Sequence, residues 1–278
     1  MRWTPGGRSP DLEDRRSSGG LRRGLGIGGT VVILALSLIT GRNLFNDLGV
    51  EPGVGAGTGA PMTAEDSARE EPVVQFVSVV LDDTKRTWTQ ILAQENVAYR
   101  PPKLVLFRNS TQSGCGYAQS AMGPFYCPVD EKVYIDLGFF DELRKRFGAN
   151  GDFAEAYVLA HEIGHHVQHL TGTDSEVRQA QQSNPGDANQ LSVRLELQAD
   201  CYAGVWAKST DKRNLLEPGD VDEAMTAAAA VGDDRILAQE GRRVNVDSFT
   251  HGSAAQRKEW FSRGFQSGDP RSCNTFGG

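Results

Sequence analysis

Basic charge is in the minority in this chain. Its 278 residues carry 29 Lys and Arg against 36 Asp and Glu, a formal net charge of −7. Binding nucleic acid needs a face that neutralises phosphates, so that class of partner is excluded. Cysteine is also sparse. Four cysteines are too few for a disulfide-held miniature scaffold, yet enough for two bridges in an exported domain. No internal repeat is present, and only one long run that is both uncharged and apolar. Histidine is scarce but not scattered: of five, four lie between His161 and His169.

The uncharged run is residues 24–41, GLGIGGTVVILALSLITG. Its 18 residues reach the lower limit for a transmembrane helix. Residues 1–23 hold six arginines against three acids, whereas residues 42–72 hold two arginines against six acids. The positive-inside tendency then predicts a cytoplasmic tail (1–23), a single transmembrane anchor (24–41) and everything later on the extracytoplasmic side of the cell membrane. Residues 42–72 are rich in Gly, Pro, Ala and acid and read as a flexible linker. The folded domain is expected over 73–278.

Within it, residues 74–96 have helical spacing, KLVLF (103–107) and KVYIDL (132–137) read as strands, and the Gly- and Pro-marked stretch between them reads as loops. A helix is expected from Asp152 to Gly172, a polar loop over 173–187, a second helix over 190–208, and shorter helices over 220–231, 233–239 and 252–265. The fold class is α+β, mostly helical with a small edge sheet.

The chemistry centres on His161-Glu162-Ile163-Gly164-His165. On a helix, i and i+4 share one face, so two imidazoles one turn apart can reach one Zn²⁺. Glu162 then sits beside the metal rather than on it, as a base for a bound water. A catalytic zinc takes a third protein ligand and keeps one position open. His169 lies about 12 Å along the axis from His161 at 1.5 Å per residue, too far to join both. The metzincin extension fails, with Gln168 and Thr171 where Gly and His are needed. The next helix offers Glu196 and Asp200, one turn apart in an otherwise apolar stretch. Glu196 is the expected third ligand. Asp200 is expected to accept the far N–H of a ligand ring, His161, and fix its tautomer.

The stretches H-E-I-G-H-H-V-Q (161–168) and E-L-Q-A-D-C-Y-A-G-V-W-A (196–207) resemble a bacterial family of neutral zinc metallopeptidases, themselves similar to gluzincin proteases. The N-terminal M-R-W, the apolar segment and T-H-G-S-A-A-Q-R-x-x-W-F (250–261) extend the resemblance over nearly the whole chain. It implies a zincin-like domain with His161, His165 and Glu196 as zinc ligands, Glu162 as catalytic base and a peptide or protein as substrate.

Gluzincins add a His or Tyr donor to the developing oxyanion, and His251 is the candidate here, with Tyr202 behind it. The strand 132–137 is expected to be an edge that aligns an extended peptide. Cys115 is expected to pair with Cys127, and Cys201 with Cys273. Two alternatives stand beside the peptidase: a zinc-stabilised binding or scaffold domain with weak or lost hydrolysis, and a deformylase-like amide hydrolase with Cys115 as third ligand.

Overall fold

The computed structural model describes residues 1–17 and 62–277. The uncharged run 24–41 and the linker up to residue 61 lie outside the described residues. Among the described residues the elements are, in chain order, β1 (Leu12–Asp14), α1 (Ala64–Gln94), β2 (Lys103–Phe107), β3 (Ser110–Ser113), β4 (Gly116–Gln119), β5 (Phe125–Cys127), β6 (Lys132–Asp136), α2 (Gly138–Lys145), α3 (Asp152–Thr171), α4 (Thr173–Ser183), α5 (Ala188–Lys212), α6 (Asp220–Ala230), α7 (Asp233–Gln239) and α8 (Ala254–Ser267). The class is α+β, as expected. None of the described helices is long and apolar enough to cross a membrane.

One sheet has the order β1-β2-β6-β5. β1, β2 and β6 run parallel, with Leu12 opposite Leu104 and Leu104 opposite Val133. β5 is antiparallel to β6, with Phe125 opposite Tyr134. The strand expected at the edge, β6, is therefore internal: its alternate faces are buried from Val133 to Asp136. The edge nearest it is β5. β3 and β4 form a hairpin inside the stretch read as loops. Turn residues dominate the composition of that stretch and hide three short strands, β3, β4 and β5.

The N-terminal residues differ most from expectation. Residues 1–17 are not a detached tail, because β1 is hydrogen-bonded into the sheet of the domain. Trp3 packs on Phe76, ring centroids 5.3 Å apart. Arg16 is almost wholly buried between Asp14 and Glu70, at 2.7 and 2.8 Å. Arg8 reaches Asp14 at 2.8 Å and Glu71 at 2.5 Å. Two of the acids that suggested a solvated linker, Glu70 and Glu71, are thus counter-charges of the N-terminal arginines. Correspondingly, α1 starts before residue 73. Thr63 caps it through a capping box with Asp66, and Pro72 lies inside it.

α3 is buried on all sides from Phe153 to Gly164, the signature of a helix at the centre of the fold. It packs against α5 so closely that a Cβ built on Gly164 would lie 3.0 Å from the Ala199 carbonyl oxygen. α8 lies closer still to α5, where a Cβ on Gly264 would meet the Cys201 carbonyl oxygen at 1.9 Å. Only glycine permits that approach. Residues 173–183 are helical rather than loop-like: Val177 is buried and Arg178 pairs with Asp174 one turn back at 2.8 Å. Both expected disulfides form, Cys115–Cys127 and Cys201–Cys273, with Cα–Cα distances of 5.8 and 5.5 Å. With no free cysteine among the described residues, Cys115 is not available as a metal ligand, and the deformylase-like alternative falls.

Candidate metal centre

His161 and His165 project from one face of α3 toward Glu196 on α5. His161 Nε2 lies 3.1 Å from Glu196 Oε2, and His165 Nε2 lies 3.4 Å from Glu196 Oε1. The three ligand atoms fall within 4.8 Å of one another. The far side of each ring is already engaged. His161 Nδ1–H donates to Asp200 Oδ1 at 2.9 Å, and His165 Nδ1–H donates to Gln168 Oε1 at 2.8 Å. Each ring therefore turns its Nε2 inward, the tautomer that a metal needs. Gln168 is held in turn by the Leu195 carbonyl at 2.7 Å and by Gln198 at 3.1 Å.

The charges follow from this convergence. Burial opposes a protonated His161, but Asp200 and Glu196 outweigh it and raise its pKa to about 10. Burial likewise opposes charge on His165, and Glu196 outweighs it. Burial pushes Glu196 up, yet the two rings hold it well below the usual carboxylate range. A cation entering among the three atoms replaces protons. Glu162 is buried, its pKa is raised by that burial, and it forms no hydrogen bond or ion pair with another described residue.

Asp200 is wholly buried and is the hub of the second layer. Its partners are His161, the Tyr157 hydroxyl, and Arg257, whose Nε donates to Oδ2 at 2.8 Å and Nη2 to Oδ1 at 2.9 Å. Burial raises Asp200, but Arg257 and His161 outweigh it and keep it low.

The remaining histidines diverge. His166 is turned to the opposite side, with Nδ1 accepting from the Tyr126 hydroxyl at 2.9 Å and Nε2–H donating to the Arg100 carbonyl at 2.5 Å. His169 pairs with Asp174 at 2.9 Å. His251 is exposed, and its Nδ1–H donates to Asp233 Oδ1 at 3.1 Å. Asp233 Oδ2 also accepts the backbone N–H groups of Thr250, His251 and Gly252 at 2.8, 2.7 and 3.0 Å. The loop so clamped lies against α5 beside Glu196: a Cβ on Gly252 would meet Leu197 and Val193 at 3.3 Å. The Asp233 hydrogen bond, more than burial offsets, raises the pKa of His251, and Glu196 adds to it. Tyr202 faces Trp88 in the core, ring centroids 5.3 Å apart.

Sequence reasoning missed Arg257, Tyr157, Asp233 and Gln168. Two left a trace. Arg257 closes the stretch T-H-G-S-A-A-Q-R, and Gln168 is the last residue of H-E-I-G-H-H-V-Q.

The model of the family described as "Putative neutral zinc metallopeptidase" matches residues 1–276. The chain belongs to that family. It is similar to the uncharacterized protein YpfJ of Escherichia coli strain K12, 47% identical over 291 residues, covering 100% of this chain and 99% of that protein. It is also similar to the uncharacterized protein Rv2575 of Mycobacterium tuberculosis strain H37Rv, 51% identical over 189 residues, covering 64% of this chain and 63% of that one. No solved structure matches.

Proposed function

We propose that this protein is a zinc-dependent peptidase of zincin-like architecture, with His161, His165 and Glu196 as metal ligands. One observation carries it: both imidazoles are tied on Nδ1 and converge on one carboxylate through Nε2. Two nitrogens and one carboxylate suit zinc and match the donor set of gluzincin-type sites.

Zinc, when bound there, supplies a Lewis acid that lowers the pKa of water at its open position and polarises a peptide carbonyl. The chain's own groups do the rest. Glu162, adjacent in sequence to His161, takes the proton of the attacking water and hands it to the leaving amine; its raised pKa suits it to hold that proton between the two steps. His251, whose protonated form the Asp233 hydrogen bond favours, donates its Nε2–H to the negative charge developing on the carbonyl oxygen. The short strand β5, last in the sheet order, offers its outer edge to an extended peptide.

The pairing of β1 bears on location. A single crossing by residues 24–41 would set β1 and β2 on opposite faces of a bilayer, whereas the two are hydrogen-bonded partners. Two disulfides favour an oxidising compartment. We therefore assign residues 1–17 and the peptidase domain to the same side of the membrane, the extracytoplasmic one. Labelling of single cysteines at Thr4 and Ser267 in intact cells tests this. Equal accessibility supports it, and labelling at Ser267 alone restores the single-pass topology.

Glu162→Gln tests the peptidase itself. Hydrolysis of a peptide library falls by 10²-fold or more while zinc content stays at wild-type level. A variant that cleaves as well as wild type removes Glu162 as the base.

A further inference from the structure

We infer that Arg257 is a positioning residue of this centre: its guanidinium fixes the rotation of the Asp200 carboxylate, and through it the ring plane and tautomer of His161. The inference rests on the zinc reading above and deepens it.

The geometry is specific. Arg257 engages both oxygens of Asp200, Nε on Oδ2 at 2.8 Å and Nη2 on Oδ1 at 2.9 Å. A carboxylate gripped at both oxygens by a planar fork cannot spin about its Cβ–Cγ bond. Oδ1 is then presented to His161 Nδ1–H at 2.9 Å. Arg257 is itself fixed from several directions. Its Nη1 donates to the Val231 carbonyl at 3.2 Å and its Nη2 to the Tyr157 hydroxyl at 3.2 Å. Its backbone N–H donates at 3.0 Å to the carbonyl of Ser253, the residue that caps α8 through a capping box with Gln256. Two turns further along α8, Gly264 allows the close approach to the Cys201 carbonyl, next to Asp200 in sequence. Residues 257 and 264 share a helix face, so the glycine contact sets the register that brings the guanidinium to the carboxylate. The same short stretch that carries His251 thus reaches the ligand His161 from behind.

A counter-ion alone would require only a positive charge, and lysine supplies one without the fork. Arg257→Lys in the full chain therefore separates positioning from neutralisation. Zinc affinity is read by competition with a chromophoric chelator, and the coordination sphere by the visible spectrum of the cobalt-substituted protein. Positioning predicts zinc bound roughly 10–100-fold more weakly, an altered cobalt spectrum and near-normal thermal unfolding of the metal-free protein. In an Asp200→Asn background the same change adds far less than its loss in the wild-type background, because the carboxylate that carries the fork to His161 is already gone, leaving only the approach of Nη2 to His161 Nδ1 at 3.3 Å. Wild-type affinity with an unchanged cobalt spectrum overturns the inference, as do additive losses in the double variant. If Arg257→Lys does not fold, Arg257→Gln takes its place: weaker zinc binding and an altered cobalt spectrum support positioning, and wild-type values of both overturn it. None of these measurements needs catalysis. A wild-type protein that binds zinc but cleaves no peptide overturns the peptidase and leaves Arg257 in its role; one that binds no zinc overturns both.

Discussion

Two clusters of potential ligands sit on the central helix, one at its start and one in its middle, and they have opposite characters. Asp152, Asp220 and Glu223 bring three carboxylates together at the N-terminus of α3. The Met1 ammonium lies among them, 2.9 Å from Asp152 and 3.1 Å from Asp220, and Glu223 accepts the Phe153 N–H at 3.2 Å. Each acid has a task in holding the fold. His161, His165 and Glu196 bring two nitrogens and one carboxylate together, with the far sides of both rings anchored by Asp200 and Gln168. Proximity of acids does not make a metal site. Donor type, and an outer layer that aims the donors inward, make the difference.

That contrast can be broken most forcefully at Glu196. Glu196→Ala reduces zinc affinity by more than the 10–100-fold typical of outer-layer partners, measured by chelator competition, while Asp220→Asn leaves it unchanged. Loss of zinc in both variants would erase the distinction between the clusters.

Next in size is the proton donor proposed beside the second cluster, His251. His251→Ala lowers kcat by about 10²–10³-fold with zinc content intact. Asp233→Asn sharpens the point through pH. Asp233 raises the pKa of His251, so the charged donor persists to higher pH, and activity is lost as pH rises through that raised value. Without the Asp233 charge the basic limb of kcat/KM moves to lower pH. An unmoved limb would dissociate His251 from it.

The smallest effect lies in the first cluster. Asp220→Asn weakens the contact to Met1 and costs about 1–3 kcal/mol of stability, read by urea unfolding. A larger fall in zinc content than in stability would make the first cluster a metal site after all.

Local periodicity explains which parts of this were readable in advance. His161 and His165, and Glu196 and Asp200, are i,i+4 pairs, and a 3.6-residue period alone puts each pair on one face. That Glu196 and Asp200 need partners, rather than forming a solvated face, followed from the apolar setting of their helix. Arg257 and Asp233 were not readable, because each meets its partner through tertiary packing: Arg257 lies 57 residues from Asp200, and Asp233 lies 18 from His251. The N-terminal strand was hidden for a related reason. Leu12, Glu13 and Asp14 have no strand-like pattern of their own, and β1 exists because Leu104 to Leu106 supply the partner. Charge misled in the same place, since Glu70 and Glu71 look solvated until Arg8, Arg16 and Arg108 are brought to them. Gly164 went unremarked as a variable position of the motif, although it allows α5 close enough for Glu196 to reach the two rings.

X-ray absorption at the zinc edge of the purified wild-type protein bears most directly on the centre. The expected result is one ion per chain with two imidazole nitrogens and carboxylate and water oxygens at about 2.0–2.2 Å. A shell without imidazole, or a protein that takes up no zinc, would contradict it.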